Sequence, residues 1–208
     1  MIDDKKTDDK KSPRKSTVSR QTKETQIALS LDLDGKTASS IQTGLPFFDH
    51  MLTAFACHGR FSLNVDAVGD IDVDPHHLIE DTGIVLGEAI AKALPGYSGI
   101  ERAGSFAFPM DGTLPIVALD LCGRANLVWK VEFGPFLVGG IDPNLFREFY
   151  KGLVDGMKGT LHVHTLVQDN DHHLIESIFK GFARSLRQAV TPLSQDAIVL
   201  STKGMIDV

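Results

Sequence analysis

HHLIE stands at residues 76–80 and again at residues 172–176, 96 positions apart. Self-similarity at a fixed offset marks an internal duplication when the flanking segments agree. Before the first copy, TQIALSLDLDG (residues 25–35) is apolar at 27, 29, 31 and 33 and closes on Asp34-Gly35. That is the pattern of a half-buried strand and its turn. Residues 36–42 are expected to return as a second strand. Pro46 suits the first turn of a helix carrying Phe47, Met51, Leu52 and Phe55 on one face, with Gly59 at its end. Residues 61–69 alternate again. Asp74 and Pro75 then supply a cap and a first-turn proline for a helix from His76 to about Leu94. The predicted order is β-β-α-β-α.

The second copy has the same surroundings. Residues 104–109, 115–122 and 126–133 read as strands, separated by Asp111-Gly112 and Gly123. A helix follows over residues 143–157, a strand over 160–167, and a last helix from His172 to about Val190, with Asp171 as its expected cap. With one strand counted as extra, the order is again β-β-α-β-α. Helices segregated to one face of mostly antiparallel sheets give a two-layer α+β unit, present twice. The first repeat is assigned to residues 20–98 and the second to 99–208, together one compact domain. Residues 1–19 carry six basic and four acidic side chains with Met1, Ile2 and Val18 as the apolar ones, and are expected to form a disordered charged tail.

Composition narrows the function. The 208 residues are 42% hydrophobic, without the run of about 18 apolar residues that a bilayer span needs, so no membrane role is expected. A balance of 21 basic against 27 acidic residues argues against nucleic acid as a partner. Two cysteines, Cys57 and Cys122, form no disulfide framework and suggest a reducing, cytoplasmic compartment. The tail has neither the apolar core of a secretory signal nor the acid-poor composition of a transit peptide.

The repeated motif carries the chemistry. His76 and Glu80 are i, i+4 and His77 and Glu80 are i, i+3, so imidazole and carboxylate share neighbouring helix surface. His76 and His77 diverge by about 100°, which favours two different ions over one shared ion. The positive end of the helix dipole disfavours imidazolium and keeps the rings available as ligands. A mixed imidazole and carboxylate set suits Mn, Fe, Co or Zn better than Mg or Ca. A single HHxxE is more often a capping or surface feature, but packing alone would keep only the Leu-Ile pair in both copies. Two motifs offer six ligands: His76, His77, Glu80, His172, His173 and Glu176. His50, in the preceding helix, and Glu148, displaced from it by 98 residues, would raise the count to four per ion. His58, His162 and His164 are as readily surface or structural residues. Arg102, Arg124 and the STKG stretch at residues 201–204 are candidates for an anion, arginine forks fitting phosphate well.

With these residues in view, the chain resembles the imidazoleglycerol-phosphate dehydratase family of histidine biosynthesis. TGLPFFDHML (43–52), GDIDVDPHHLIEDTGIVLGEAI (69–90), LDLCGR (119–124), NDHHLIESIFKGFARSLRQAV (170–190) and STKG carry the resemblance, which extends from Arg20 to the C-terminus. It implies ribosomal protein S5 domain 2-like repeats, two Mn²⁺ ions per active site, a small-molecule phosphate substrate, and trimers assembling into a homo-oligomer of about 24 subunits. It implies metal ligation by His50, His76, His77, Glu80, Glu148, His172, His173 and Glu176, where Glu148 replaces a histidine of many relatives. It assigns phosphate binding to Arg102, Arg124, Ser201, Thr202 and Lys203, and acid/base catalysis to Glu24. Departures at Gly112, Cys122, Gln168 and Leu200 remove no reactive side chain. Two rivals make different predictions: a ferritin-like metal protein would be nearly all helix, and an inactive cage-forming relative would bind metal without turnover.

Overall fold

A computed structural model describes residues 13–35 and 37–193. The first half contains β1 (Lys15–Gln21), β2 (Thr25–Asp32), β3 (Ser40–Gln42), α1 (Pro46–Gly59), β4 (Ser62–Gly69) and α2 (His76–Ala93). The second contains β5 (Ala103–Ala107), β6 (Leu114–Asp120), β7 (Asn126–Lys130), α3 (Leu145–Met157), β8 (Thr160–Val167) and α4 (Asp171–Ala189). The two four-stranded sheets have matching topologies, β1-β2-β4-β3 and β5-β6-β8-β7. In each, three neighbours pair antiparallel or by a crossover, and the short strand before the first helix (β3 or β7) runs parallel to the last strand. The architecture is therefore α+β, and eight strands exclude a helical bundle of the ferritin kind.

The strand treated as extra has a counterpart. β5 matches β1, and β1 takes in residues 15–19, which sequence reading had assigned to the disordered tail. KSTVSRQ lacks the apolar alternation of an internal strand because it lies at a sheet edge, where polar and charged residues also discourage pairing with other chains. It is nevertheless well anchored. Ser16 is buried and its hydroxyl donates to the Ala89 carbonyl at 2.7 Å, while Lys92 donates to the Thr17 carbonyl at 2.9 Å. Each half is thus β-β-β-α-β-α. The return strand expected over residues 36–42 shrinks to Ser40–Gln42 and joins β4 rather than pairing with β2. Asp34-Gly35 accordingly leads into a crossover, not a hairpin.

The core follows from the predicted periods. β2 alternates buried and open residues, with Ile27, Leu29 and Leu31 turned inward, and β6 and β8 do the same with Val117, Leu119, Leu161 and Val163. The helices meet across the two halves: α2 packs on α3 and α1 packs on α4. Between α2 and α3 the contact is backbone to backbone, made possible by Gly83 and Gly87 on one helix and Gly152 and Gly156 on the other. A Cβ on Gly83 would lie 2.2 Å from the Phe149 carbonyl oxygen. Facing α1 and α4, an aromatic cluster fills the space, with Phe55 stacked on Phe182 and Phe149 stacked on Phe179.

Candidate metal centre

The HHLIE segments open α2 and α4, and local sequence fixes both starts. Asn170 caps α4 by accepting the His173 amide at 2.8 Å, one residue before the Asp171 expected in that role. At α2 the carboxylate of Asp74 accepts the His76 amide at 2.7 Å. These turns place two histidines of each pair on different faces. The ring planes of His76 and His77 differ by 76°, and those of His172 and His173 by 90°.

The cross-packing of α1 and α4 brings His50, His172 and Glu176 together. Their potential ligand atoms all lie within 4.8 Å of one another. His50 Nε2 is 3.7 Å from Glu176 Oε1, and His172 Nε2 is 3.3 Å from Glu176 Oε2. Ligands at about 2.1 Å from one ion can stand at most about 4.2 Å apart, so these spacings suit a shared cation with little movement. Glu176 is buried and ready to act as an anion. Burial opposes its ionisation, but the hydrogen bond and charge of Lys180, 2.7 Å away, outweigh it and hold its pKa below the ordinary value.

Around the HHLIE segment of α2 the arrangement is related but looser. His76 Nε2 lies 3.5 Å from Glu80 Oε2. Glu148 on α3 occupies the position that His50 has on α1, but its carboxylate is turned to Arg147 at 2.8 Å and Lys151 at 4.0 Å. Among the described residues it completes no trio with His76 and Glu80.

His77 and His173 stand apart from these groups, each oriented by a carboxylate on Nδ1. Asp70 approaches His77 Nδ1 to 3.2 Å, and Asp169 approaches His173 Nδ1 to 3.0 Å. At His77 such a contact favours the Nδ1–H tautomer, with Nε2 as the free ligand atom; at His173 the Asn170 amide nitrogen also lies 2.8 Å from Nδ1, and Nε2 is 3.7 Å from the Asp111 carboxylate. The Asp70 hydrogen bond raises the His77 pKa. Asp169 is held down to about 2, chiefly by the Thr113 hydroxyl and then by His173. Neither aspartate was singled out from sequence, nor was Lys180. Asp70 and Asp169 lie at different distances before their histidines, seven and four residues, so the repeat does not reveal them.

Glu24, in the turn between β1 and β2, brings its carboxylate to 3.9 Å from His77 Nδ1. The arginines lie elsewhere. Arg102 pairs with Asp120 at 2.9 Å, and its backbone amide donates to the Ala189 carbonyl at the far end of α4. Seventeen residues of helix separate Ala189 from His172, about 25 Å along the axis. Arg124 is exposed beside the start of β8, near the same end. Ser201, Thr202 and Lys203 lie outside the described residues. One chain therefore brings Glu24 to His77 and gathers the trio, while Arg102 lies at the opposite end of α4 from His172.

The chain is similar to known proteins along most of its length. The family model described as imidazoleglycerol-phosphate dehydratase matches residues 43–186. An imidazoleglycerol-phosphate dehydratase of Geobacter sulfurreducens is 48% identical over 193 residues, 93% of this chain and 99% of that protein. One from Methanoculleus marisnigri is 50% identical over 193 residues, covering 93% and 100%. Among solved structures, the Staphylococcus aureus dehydratase superposes with a TM-score of 0.78 at 35% identity, covering 86% of this chain and 99% of that one. The Pyrococcus furiosus dehydratase gives 0.80 at 35% identity, covering 91% and 100%.

Proposed function

The chain belongs to the imidazoleglycerol-phosphate dehydratase family, and we propose that it performs that dehydration with two Mn²⁺ ions held by its duplicated His-His-Glu motifs. The reaction is a carbon–oxygen lyase step of histidine biosynthesis: imidazole-glycerol phosphate loses water to give imidazole-acetol phosphate. The observation that carries the metal reading is the trio His50, His172 and Glu176, whose two imidazoles and buried carboxylate already stand at ligand spacing. Imidazole nitrogen combined with carboxylate oxygen suits a borderline divalent cation, Mn²⁺ among them. His76, Glu80 and Glu148 form the matching group on α2 and α3, with Arg147 and Lys151 as the partners Glu148 would have to leave. His77 and His173 are the remaining ligands of this reading.

When bound, the ions supply Lewis acidity and a template for the substrate's imidazole ring. The protein's own groups handle the rest. No carbonyl acidifies the C–H bond that must break, so a positioned base is needed. We assign that role to Glu24, whose carboxylate is 3.9 Å from His77 Nδ1 and more than half exposed. It takes the proton from carbon and the neighbouring hydroxyl leaves with its bonding pair as hydroxide; that proton and that hydroxide make up the water released, and the resulting enol tautomerises to the ketone. Arg102 and Arg124, with Ser201, Thr202 and Lys203, grip the phosphate and set the orientation of the reacting carbons.

The separation of about 25 Å between the arginines and the metal trio supports sharing between subunits. Imidazole-glycerol phosphate is far too short to span it within one chain. The arginine end of one copy would have to meet the histidine end of another, as in a closed homo-oligomer of trimers reaching about 24 subunits. Cys57 and Cys122 are both free thiols, in keeping with a cytoplasmic enzyme.

The test is turnover of imidazole-glycerol phosphate by chelator-stripped protein before and after adding Mn²⁺. Activity that returns with two equivalents of metal per subunit supports the reading. Bound metal without product would instead mark an inactive, cage-forming relative.

A further inference from the structure

The repeated motif is identical for five residues and diverges at the sixth. HHLIED in the first half becomes HHLIES in the second, so Asp81 corresponds to Ser177. Both side chains are buried. Ser177 only donates back to the Leu174 carbonyl of its own helix at 3.0 Å. Asp81 reaches outward to the β1–β2 turn instead. Its Oδ2 accepts from the Thr25 hydroxyl at 2.5 Å, and its Oδ1 accepts from Arg20 Nε at 2.9 Å.

Those two bonds grip both strands that enter the turn. The turn itself is closed by the Thr22 amide donating to the Thr25 carbonyl at 2.9 Å. Thr25 has one hydroxyl proton, and it is committed to Asp81. The contact of 3.1 Å between the two threonine hydroxyls must therefore use the Thr22 proton. Thr22 Oγ1 in turn accepts the amides of Glu24 at 3.1 Å and Thr25 at 2.9 Å. Its donor and both acceptor sites are filled. On its other side, the turn accepts the Asp70 amide at the Glu24 carbonyl, 3.1 Å away, and Asp70 is the residue that orients His77.

We propose that Asp81, acting through Thr25 and Arg20, is a positioning residue that fixes the Glu24 carboxylate against the His77 ligand. The second half folds to the same topology with serine at this position, so the repeat does not require a carboxylate here. A carboxylate stands at this position in the half whose turn carries Glu24, whereas the β5–β6 turn, with Asp111 3.7 Å from His173 Nε2, is tied through Thr113 to Asp169. A side chain more than half exposed gains little order from packing. Its position is set by the backbone beneath it, and here that backbone is tied to the helix that also bears His76, His77 and Glu80. The proposal rests on Glu24 being the acid/base group.

The experiment is a double-mutant cycle on Mn²⁺-loaded enzyme. Thr25→Val keeps the β-branched shape and removes only the hydroxyl. It should lower kcat by about 10- to 100-fold, the usual penalty for misplacing a reacting group by an ångström, with KM and bound metal little changed. Thr25→Ser should restore kcat. In a Glu24→Gln background the same Thr25→Val change should have no further effect, because a group that acts through Glu24 has nothing left to position. Wild-type kcat in Thr25→Val, with Glu24→Gln inactive, overturns the positioning role and leaves Glu24 in place. An equal loss from Thr25→Val in both backgrounds also overturns it. Wild-type kcat in Glu24→Gln overturns the acid/base reading and the positioning role together.

Discussion

Gly152 on α3 lies directly over the Glu80 carbonyl on α2: a Cβ at Gly152 would stand 2.6 Å from that oxygen. The helix that carries a candidate ligand is thus seated against a neighbour with no room for a methyl group. Gly156 repeats the relationship one turn on, where a Cβ would stand 2.3 Å from the Ile84 oxygen. Gly152→Ala should destabilise the fold by about 1–3 kcal/mol, the usual cost of overpacking, and lower metal content by moving Glu80. Thermal melting and bound-metal analysis of the same sample check both parts. A change of Tm without loss of metal would separate packing from ligation.

The carboxylates behind His77 and His173 should matter nearly as much as the ligands. Asp70→Asn and Asp169→Asn each keep the shape and lose the charge that orients the imidazole. Each is expected to weaken metal binding by about 10- to 100-fold, read by competition with a chromogenic chelator. An unchanged affinity in both variants would show that the rings are held by other means.

Asp169 also makes a prediction for acid. Its pKa lies near 2 in the folded protein against an ordinary 3.8. A depressed carboxyl contributes stability that is present above its unfolded pKa and disappears as pH falls through the folded one. Its share should therefore be complete above about pH 5 and lost between about pH 4 and pH 2. Asp169→Asn should flatten that part of the stability curve, measured by denaturant unfolding at stepped pH. His77 acts in the opposite sense. Its raised pKa favours the protonated ring in the metal-free protein, so metal should compete less well with protons as the pH drops below neutrality.

Removing residues 1–19 should unfold or severely weaken the protein rather than trim a tail. The deletion takes five of the seven residues of β1, together with the Ser16 bond to Ala89 and the contact of Lys92 with Thr17. Circular dichroism and the unfolding midpoint of the truncated chain decide the matter.

These relationships differ in how far the sequence announces them. The buried faces of β2, β4, β6 and β8 and the stripes on the helices were legible because one face meets the core and the other does not. β1 was not legible: Val18 is its one large apolar residue, and its place at the edge is secured by hydroxyl and lysine contacts to α2. Asp34-Gly35 misled because a turn pair specifies a local bend and not the strand that follows. The ligand set could be proposed from HHLIE and its spacing, but the pairing of His50 with His172 and Glu176 depends on α1 crossing to α4, a contact between residues more than 120 positions apart. The distance between Arg102 and those histidines is likewise set by the length of α4, not by any local pattern.

The trio draws His50 from the first half and His172 and Glu176 from the second. Neither half could build that group alone. A half-length ancestor with the same fold would have needed two copies of itself, each lending its early helix to the other's HHLIE segment across a twofold axis. Within one chain that exchange is internal, and the two halves are free to differ. Position 81 and position 177, like His50 and Glu148, show how far corresponding surfaces of the two halves differ.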